Sequence, residues 1–255
     1  MTKIIAVTNQ KGGVGKTTTS VNLAACLAAA KRKVLLIDLD PQGNAAMGCG
    51  VNKATVQYSS CDLLLEDIPV SEMIVQVPDI GFSVIAGNSD LTVAEVQLMK
   101  MTQRERRLAN ALKQVQNDYD YILIDCPPSL NMLTLNAMVA ATSVLVPMQC
   151  EYYALEGLSA LMETLRNIRE TANPDLYLEG ILRTMFDNRS RLTKDVSEQL
   201  VEYFVDKVFR TCVPRNIRLA EAPSHGMPIL QYDKSSRGAL AYIALAGELI
   251  RKEKK

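Results

Sequence analysis

The sequence predicts an α/β domain built on a mostly parallel, twisted sheet with helices on both faces. Three observations predict it: short, nearly continuous apolar runs recur along the chain, they alternate with helix-length stretches, and a glycine-rich loop joins the first run to the first helix. At 255 residues, 48% of them apolar and 22% charged, one domain over 1–255 would remove roughly 75% of its unfolded surface from water. That composition excludes intrinsic disorder.

Residues 3–8 (KIIAVT) read as a buried strand, and 17–30 as an Ala-rich helix after the glycine loop. Residues 33–40 (KVLLIDLD) form a second strand, followed by strands at 82–86, 121–125 (YILID), 143–147 (SVLVP), 178–184 and 208–213. Helical stretches cover 104–116, 134–140, 154–170, 193–204 and 238–252. This alternation calls for right-handed βαβ units. Pro127, Pro128 and Pro214 follow strands, where proline ends the ladder, and so mark loops at the rim where such sheets bind ligands. No internal repeat or long linker interrupts the pattern.

No apolar run approaches the ~18 residues of a membrane span, and MTKIIAVTNQKGG carries no signal-peptide pattern, so a cytoplasmic protein with no membrane partner is expected. The six cysteines form no C-x-x-C pair and there is one histidine, His225, which argues against zinc or iron–sulfur ligation. Lys plus Arg equals Asp plus Glu at 28 each, yet the charge is uneven. Residues 54–99 hold seven carboxylates and no Lys or Arg, whereas 183–237 hold ten basic residues against seven acidic ones.

Gln10-Lys11-Gly12-Gly13-Val14-Gly15-Lys16-Thr17 follows a strand and opens a helix, the context of a phosphate loop. Its glycines let backbone N–H groups converge on phosphate oxygens at a helix N-terminus. Lys16 would bridge the β- and γ-phosphates of ATP, the Thr17 hydroxyl would hold Mg²⁺, and Thr18 completes the nucleotide-binding turn. Asp38 and Asp40, two residues apart, would share a side if their strand persists; adjacent to the phosphate loop in a parallel sheet, they could organise a hydration shell and orient a water. Asp125, after YILI, fits a carboxylate that meets the metal through water.

Gln10 stands where the usual loop has its first glycine, and Lys11 precedes Gly12. This K-G-G-x-G-K-T form resembles the deviant Walker A loop of the ParA/MinD family of P-loop NTPases (SIMIBI type). CEYYALEGL, PRNIRLAEAPSHG and SRGALAY are similar to the Soj branch of chromosomal ParA proteins, so the likeness spans nearly the whole chain. The resemblance implies an ATP-driven homodimer for chromosome or plasmid partitioning in which Lys11 reaches the nucleotide of the opposite subunit. It further implies that Asp40 positions the attacking water, that Asp38 is the metal-side acid and that Asp125 is Walker B. Pro214 and Asn216, flanking Arg215, match the loop that meets the adenine. Arg189 and Arg218 match arginines that bind double-stranded DNA without sequence preference, with Arg191, Lys194 and Arg215 as additions to the patch.

By the same resemblance, slow ATP hydrolysis is stimulated by a ParB-like protein and releases a nucleoid-associated dimer. Some of Asp62, Glu66, Asp67 and Glu72 are expected to face that partner's basic peptide, the alternative being a solvated acidic face that keeps the protein soluble. Only eight residues precede Asn9, so no N-terminal helix-turn-helix extension is expected. The alternative, a MinD-like membrane-associated cell-division ATPase, would need a bulky amphipathic tail, whereas the chain closes in ALAGELIRKEKK.

Overall fold

Side-chain parity along the central strands assigns residues to two cores. The computed structural model describes residues 2–77 and 79–253. Its strands are β1 (Lys3–Val7), β2 (Val34–Asp38), β3 (Val75–Gln76), β4 (Ser83–Ile85), β5 (Tyr121–Asp125), β6 (Ser143–Gln149), β7 (Tyr177–Phe186) and β8 (Val208–Pro214). They form an eight-stranded sheet in the order β3-β4-β2-β5-β1-β6-β7-β8. Every pairing is parallel except β3 with β4.

Helices α1 (Lys16–Ala29), α2 (Asn44–Gly48), α9 (Ile217–Glu221), α10 (Ile229–Tyr232) and α11 (Arg237–Lys252) cover one face. Helices α3 (Ser60–Leu65), α4 (Leu91–Leu98), α5 (Arg107–Leu112), α6 (Met132–Ala140), α7 (Ala154–Thr171) and α8 (Arg191–Phe204) cover the other. Ile5, Val7, Leu36 and Leu123 pack beneath the α1 side, whereas Ile4, Ala6, Ile37 and Ile124 pack beneath the α6 side, as a two-residue period requires. Fully burying each such side chain contributes about 1.5–3 kcal/mol.

The anticipated strands agree with the sequence reading apart from their ends. β2 stops at Asp38, because the Asp38 carboxylate accepts the Asp40 N–H and turns the chain. β6 continues past Pro147 to Gln149: its pairing with β1 ends at Leu145, so the proline's missing N–H costs no bond on that side. Asn9 Nδ2 instead donates to the Pro147 carbonyl at 2.8 Å. The short elements α2, α3, α4, α9, α10 and the antiparallel β3 carried too little periodicity to be anticipated.

Candidate functional site

The phosphate loop occupies the turn from β1 into α1. Gly13 and Gly15 adopt φ 74° and 86°, left-handed values that L side chains resist, so these two glycines are fixed by backbone conformation. At Gly12 a Cβ would meet open space. Thr184, at the end of β7, donates its hydroxyl to the Val14 carbonyl at 2.8 Å and pins the loop from the side. Lys16 is buried and its Nζ donates to the Lys11 carbonyl at 3.1 Å, which curls the loop around its ammonium. Burial pushes the Lys16 pKa down, opposed by the charges of Asp125 and Asp40.

The carboxylates converge on this loop from two strands. β5 lies between β1 and β2, so Asp125, in register with Val7, is the immediate neighbour of the loop strand. Asp38 sits one strand further away, in register with Asp125. The expected adjacency of the Asp38 strand to the phosphate-loop strand does not hold, because β5 is inserted between β1 and β2. Asp38 and Asp40 also share no strand face, since β2 has ended before Asp40.

Asp38 and Asp125 are both completely buried on the α1 side. Asp125 Oδ1 accepts from Ser20 Oγ at 2.8 Å, while its Oδ2 has no hydrogen-bond partner among the described residues. Asp38 Oδ2 accepts from the Ala45 and Ala46 N–H groups at 2.9 and 3.2 Å, and so caps α2. Burial pushes both pKa values up; mutual repulsion between the two carboxylates raises Asp125 further. Asp40, half-buried, accepts from the Gln42 N–H at 2.9 Å.

Gly87, unremarked in the sequence, braces this turn. A Cβ there would lie 2.7 Å from the Asp38 carbonyl oxygen and 3.0 Å from that of Asp40. Gly43, at φ 62°, approaches the Gly87 carbonyl so closely that its own Cβ would fall 2.3 Å away. The one signal in the sequence was a glycine just after a strand.

Lys11 forms an ion pair with Glu151, which follows β6. Both side chains are about half exposed, at 48% and 50%, so the pair contributes little stability and is readily exchanged. Glu151 was not anticipated as its partner. On the other side of the loop, Gly15, Thr18, Thr184, Met185, Pro214, Arg215 and Asn216 line a cavity of about 260 Å³. The predicted base-contacting loop therefore opens onto the phosphate loop. Asn216 Oδ1 caps α9 by accepting from the Leu219 N–H at 3.3 Å, which leaves its amide N–H groups for a ligand.

Arg189 and Arg218 are exposed and held by carboxylates of their own chain. Arg189 Nε and Nη2 grip the two oxygens of Asp187 at 3.0 Å each, a pairing that pulls the Asp187 pKa down to about 2. Arg218 pairs with Glu221 at 2.9 Å and Asp233 at 3.6 Å. Arg191 pairs with Asp195, while Arg215 makes no ion pair among the described residues. β7 and β8 end side by side, Phe186 opposite Pro214, which brings the Arg189 and Arg215 loops to one rim. In the acidic stretch, Asp62 closes the capping box of α3 and Asp67 pairs with Arg107, while Glu66 and Glu72 are exposed.

A glycine loop with two lysines, backed by carboxylates on neighbouring strands, defines the deviant Walker A class of P-loop NTPases. The family model described as an AAA domain matches residues 2–178. The chain is 53% identical over 249 residues to the sporulation initiation inhibitor protein Soj of Bacillus subtilis, covering 98% of each protein. It is 50% identical to the chromosome partitioning protein ParA of Myxococcus xanthus, covering 98% of this chain and 89% of that one. Among solved structures, a cobyrinic acid a,c-diamide synthase from Mycobacterium smegmatis, with bound ADP and magnesium, matches with a TM-score of 0.87 at 37% identity, over 100% of this chain and 96% of that one. The chain belongs to the ParA/Soj family of chromosome-partitioning ATPases.

Proposed function

We propose that this protein is a nucleotide-switched DNA-partitioning ATPase: it binds MgATP, dimerises around it, holds DNA without sequence preference and lets go after hydrolysis to ADP and phosphate. The observation that carries this reading is the juxtaposition of the two-lysine loop with the buried acids Asp38 and Asp125. A buried carboxylate pair with an unpartnered oxygen, Asp125 Oδ2, is costly unless a cation compensates it. The donor set of Asp125 and the Thr17 hydroxyl suits a magnesium ion, which prefers oxygen ligands and retains waters. When bound, the ion neutralises phosphate charge.

Lys16 binds the phosphates, with the N–H groups of Gly12 to Thr18 around them. Asp38 holds the turn that places Asp40, and Asp40 orients the attacking water. Pro214 and Asn216 meet the adenine. Lys11 leaves Glu151 and reaches the nucleotide of the opposite subunit, so the γ-phosphate supplies contacts that exist only in the dimer. Arg189 and Arg218 exchange their carboxylates for DNA phosphates, at modest cost because those ion pairs are solvent-exposed. A ParB-like partner accelerates hydrolysis and resets the cycle, and the dimer is associated with the nucleoid in the cytoplasm.

Co-sedimentation with duplexes of unrelated sequence tests the reading. DNA should be retained with MgATP, released with MgADP, and retained alike whatever its sequence. Retention indifferent to nucleotide, or an absence of ATP turnover, would overturn it.

A further inference from the structure

Two close contacts, besides the Asn216 cap of α9, attach the segment that carries Arg218 to elements of the nucleotide site. Its first attachment runs through α2. Asp38 caps that helix, and the turn leaving it brings Gly50 against Gly226, where a Cβ on either glycine would lie 2.9 Å from an atom of the other. Both glycines are left-handed, at φ 79° and 63°, so this is a contact of backbone on backbone. The second attachment runs through α1, one turn beyond the phosphate loop. Buried Asn22 donates to the Thr18 carbonyl at 2.8 Å and accepts the Ile229 N–H at 2.6 Å.

Between these points the segment is braced against itself. Tyr232 donates to Glu221 Oε2 at 3.1 Å, and the His225 ring stacks on the Tyr232 ring with centroids 5.0 Å apart. Arg218 rides on α9 within this unit, and its exposed pairs with Glu221 and Asp233 are the ones it gives up to DNA. A unit braced in this way moves as a body, because its internal contacts leave few soft joints.

We propose that residues 217–233 act as a rigid lever within each protomer, carrying the state of the phosphate loop and of the Asp38 turn to Arg218 through Asn22–Ile229 and Gly50–Gly226. The proposal rests on the DNA-binding reading and adds to it: nucleotide sets the attitude of the DNA-contacting arginine inside one chain, in addition to any effect of bringing two chains together. The Gly50–Gly226 joint transmits because nothing compressible lies in it.

The test separates the two levels. In the Lys11→Ala variant, expected to stay monomeric, exchange of the Ile229 N–H at the joint with Asn22 is compared with a non-hydrolysable ATP analogue and with ADP. A difference in protection in that monomer supports the lever, and identical protection overturns it. In the wild-type background, Gly226→Ala should reduce the ATP-to-ADP ratio of DNA affinities at least ~fivefold, the lower end of ordinary coupling factors, with ATP-dependent dimerisation retained. Gly81→Ala is the control, since Gly81 is also left-handed at φ 78° but faces open space. An unchanged ratio in folded Gly226→Ala overturns the lever alone. A wild type whose DNA affinity ignores nucleotide overturns the underlying DNA-binding reading as well.

Discussion

Gly87→Ala isolates the placement of the turn proposed to be catalytic from the chemistry of its side chains. The backbone of Gly87 is not left-handed, so alanine meets no positive-φ strain there. Its Cβ, however, would lie 2.7 Å from the Asp38 carbonyl oxygen, about 0.7 Å inside the 3.4 Å at which ordinary van der Waals contact begins. The neighbour is backbone on one side and the Gly43 turn on the other, so the strain is relieved by displacing residues 38–40. Overpacking of this kind costs about 1–3 kcal/mol. For a chain of this length that lowers Tm by roughly 2–6 °C. A displacement approaching 1 Å of a water-positioning acid costs up to ~100-fold in rate. Steady-state ATPase assays should therefore show kcat reduced roughly 10- to 100-fold with nucleotide affinity within about twofold, because the phosphate loop is untouched. A Gly87→Ala protein with wild-type kcat and a lowered Tm would show that the bracing matters to stability only.

Other outcomes follow from the same geometry. Asp40→Ala should bind ATP normally, fail to hydrolyse it and accumulate as the ATP-bound dimer, as read by single-turnover assays and light scattering. Asp38 and Asp125 have pKa values raised by burial, so in the absence of magnesium they favour the native state at low pH, and that contribution is lost as pH rises through their folded pKa values. Thermal melts in chelator should show stability falling with pH above the ordinary carboxylate range, and both magnesium and Asp125→Asn should flatten that slope. Arg189→Glu with Arg218→Glu should weaken DNA retention on all sequences alike and reduce its salt dependence, leaving dimerisation in place.

The phosphate loop was legible because its constraint is local: Gly13 and Gly15 need left-handed backbone, and Lys16 follows at a fixed offset. Asp125 was legible because four apolar residues before it announce a buried strand ending at the rim. The roles of Gly43, Gly87, Gly50 and Gly226 were not, since each depends on an approach between segments that only the assembled sheet brings together. Strand order hid the exact relation of Asp38 to the loop, because the insertion of β5 between β1 and β2 leaves no trace in either strand. Arg189 and Arg218 stand out by resemblance alone; their carboxylate partners are short-range but are indistinguishable in sequence from ordinary surface charge pairs.

Lys11 is proposed to complete a nucleotide site across a dimer interface. Sedimentation equilibrium with MgATP, in the Asp40→Ala background expected to be deficient in hydrolysis, tests it with Lys11 present and with Lys11 replaced by alanine. The Asp40→Ala protein should sediment as a dimer with ATP and as a monomer with ADP. The Lys11→Ala, Asp40→Ala protein should bind ATP yet remain monomeric. A double variant that dimerises with ATP as fully as Asp40→Ala would contradict the claim and place Lys11 in its own subunit's site.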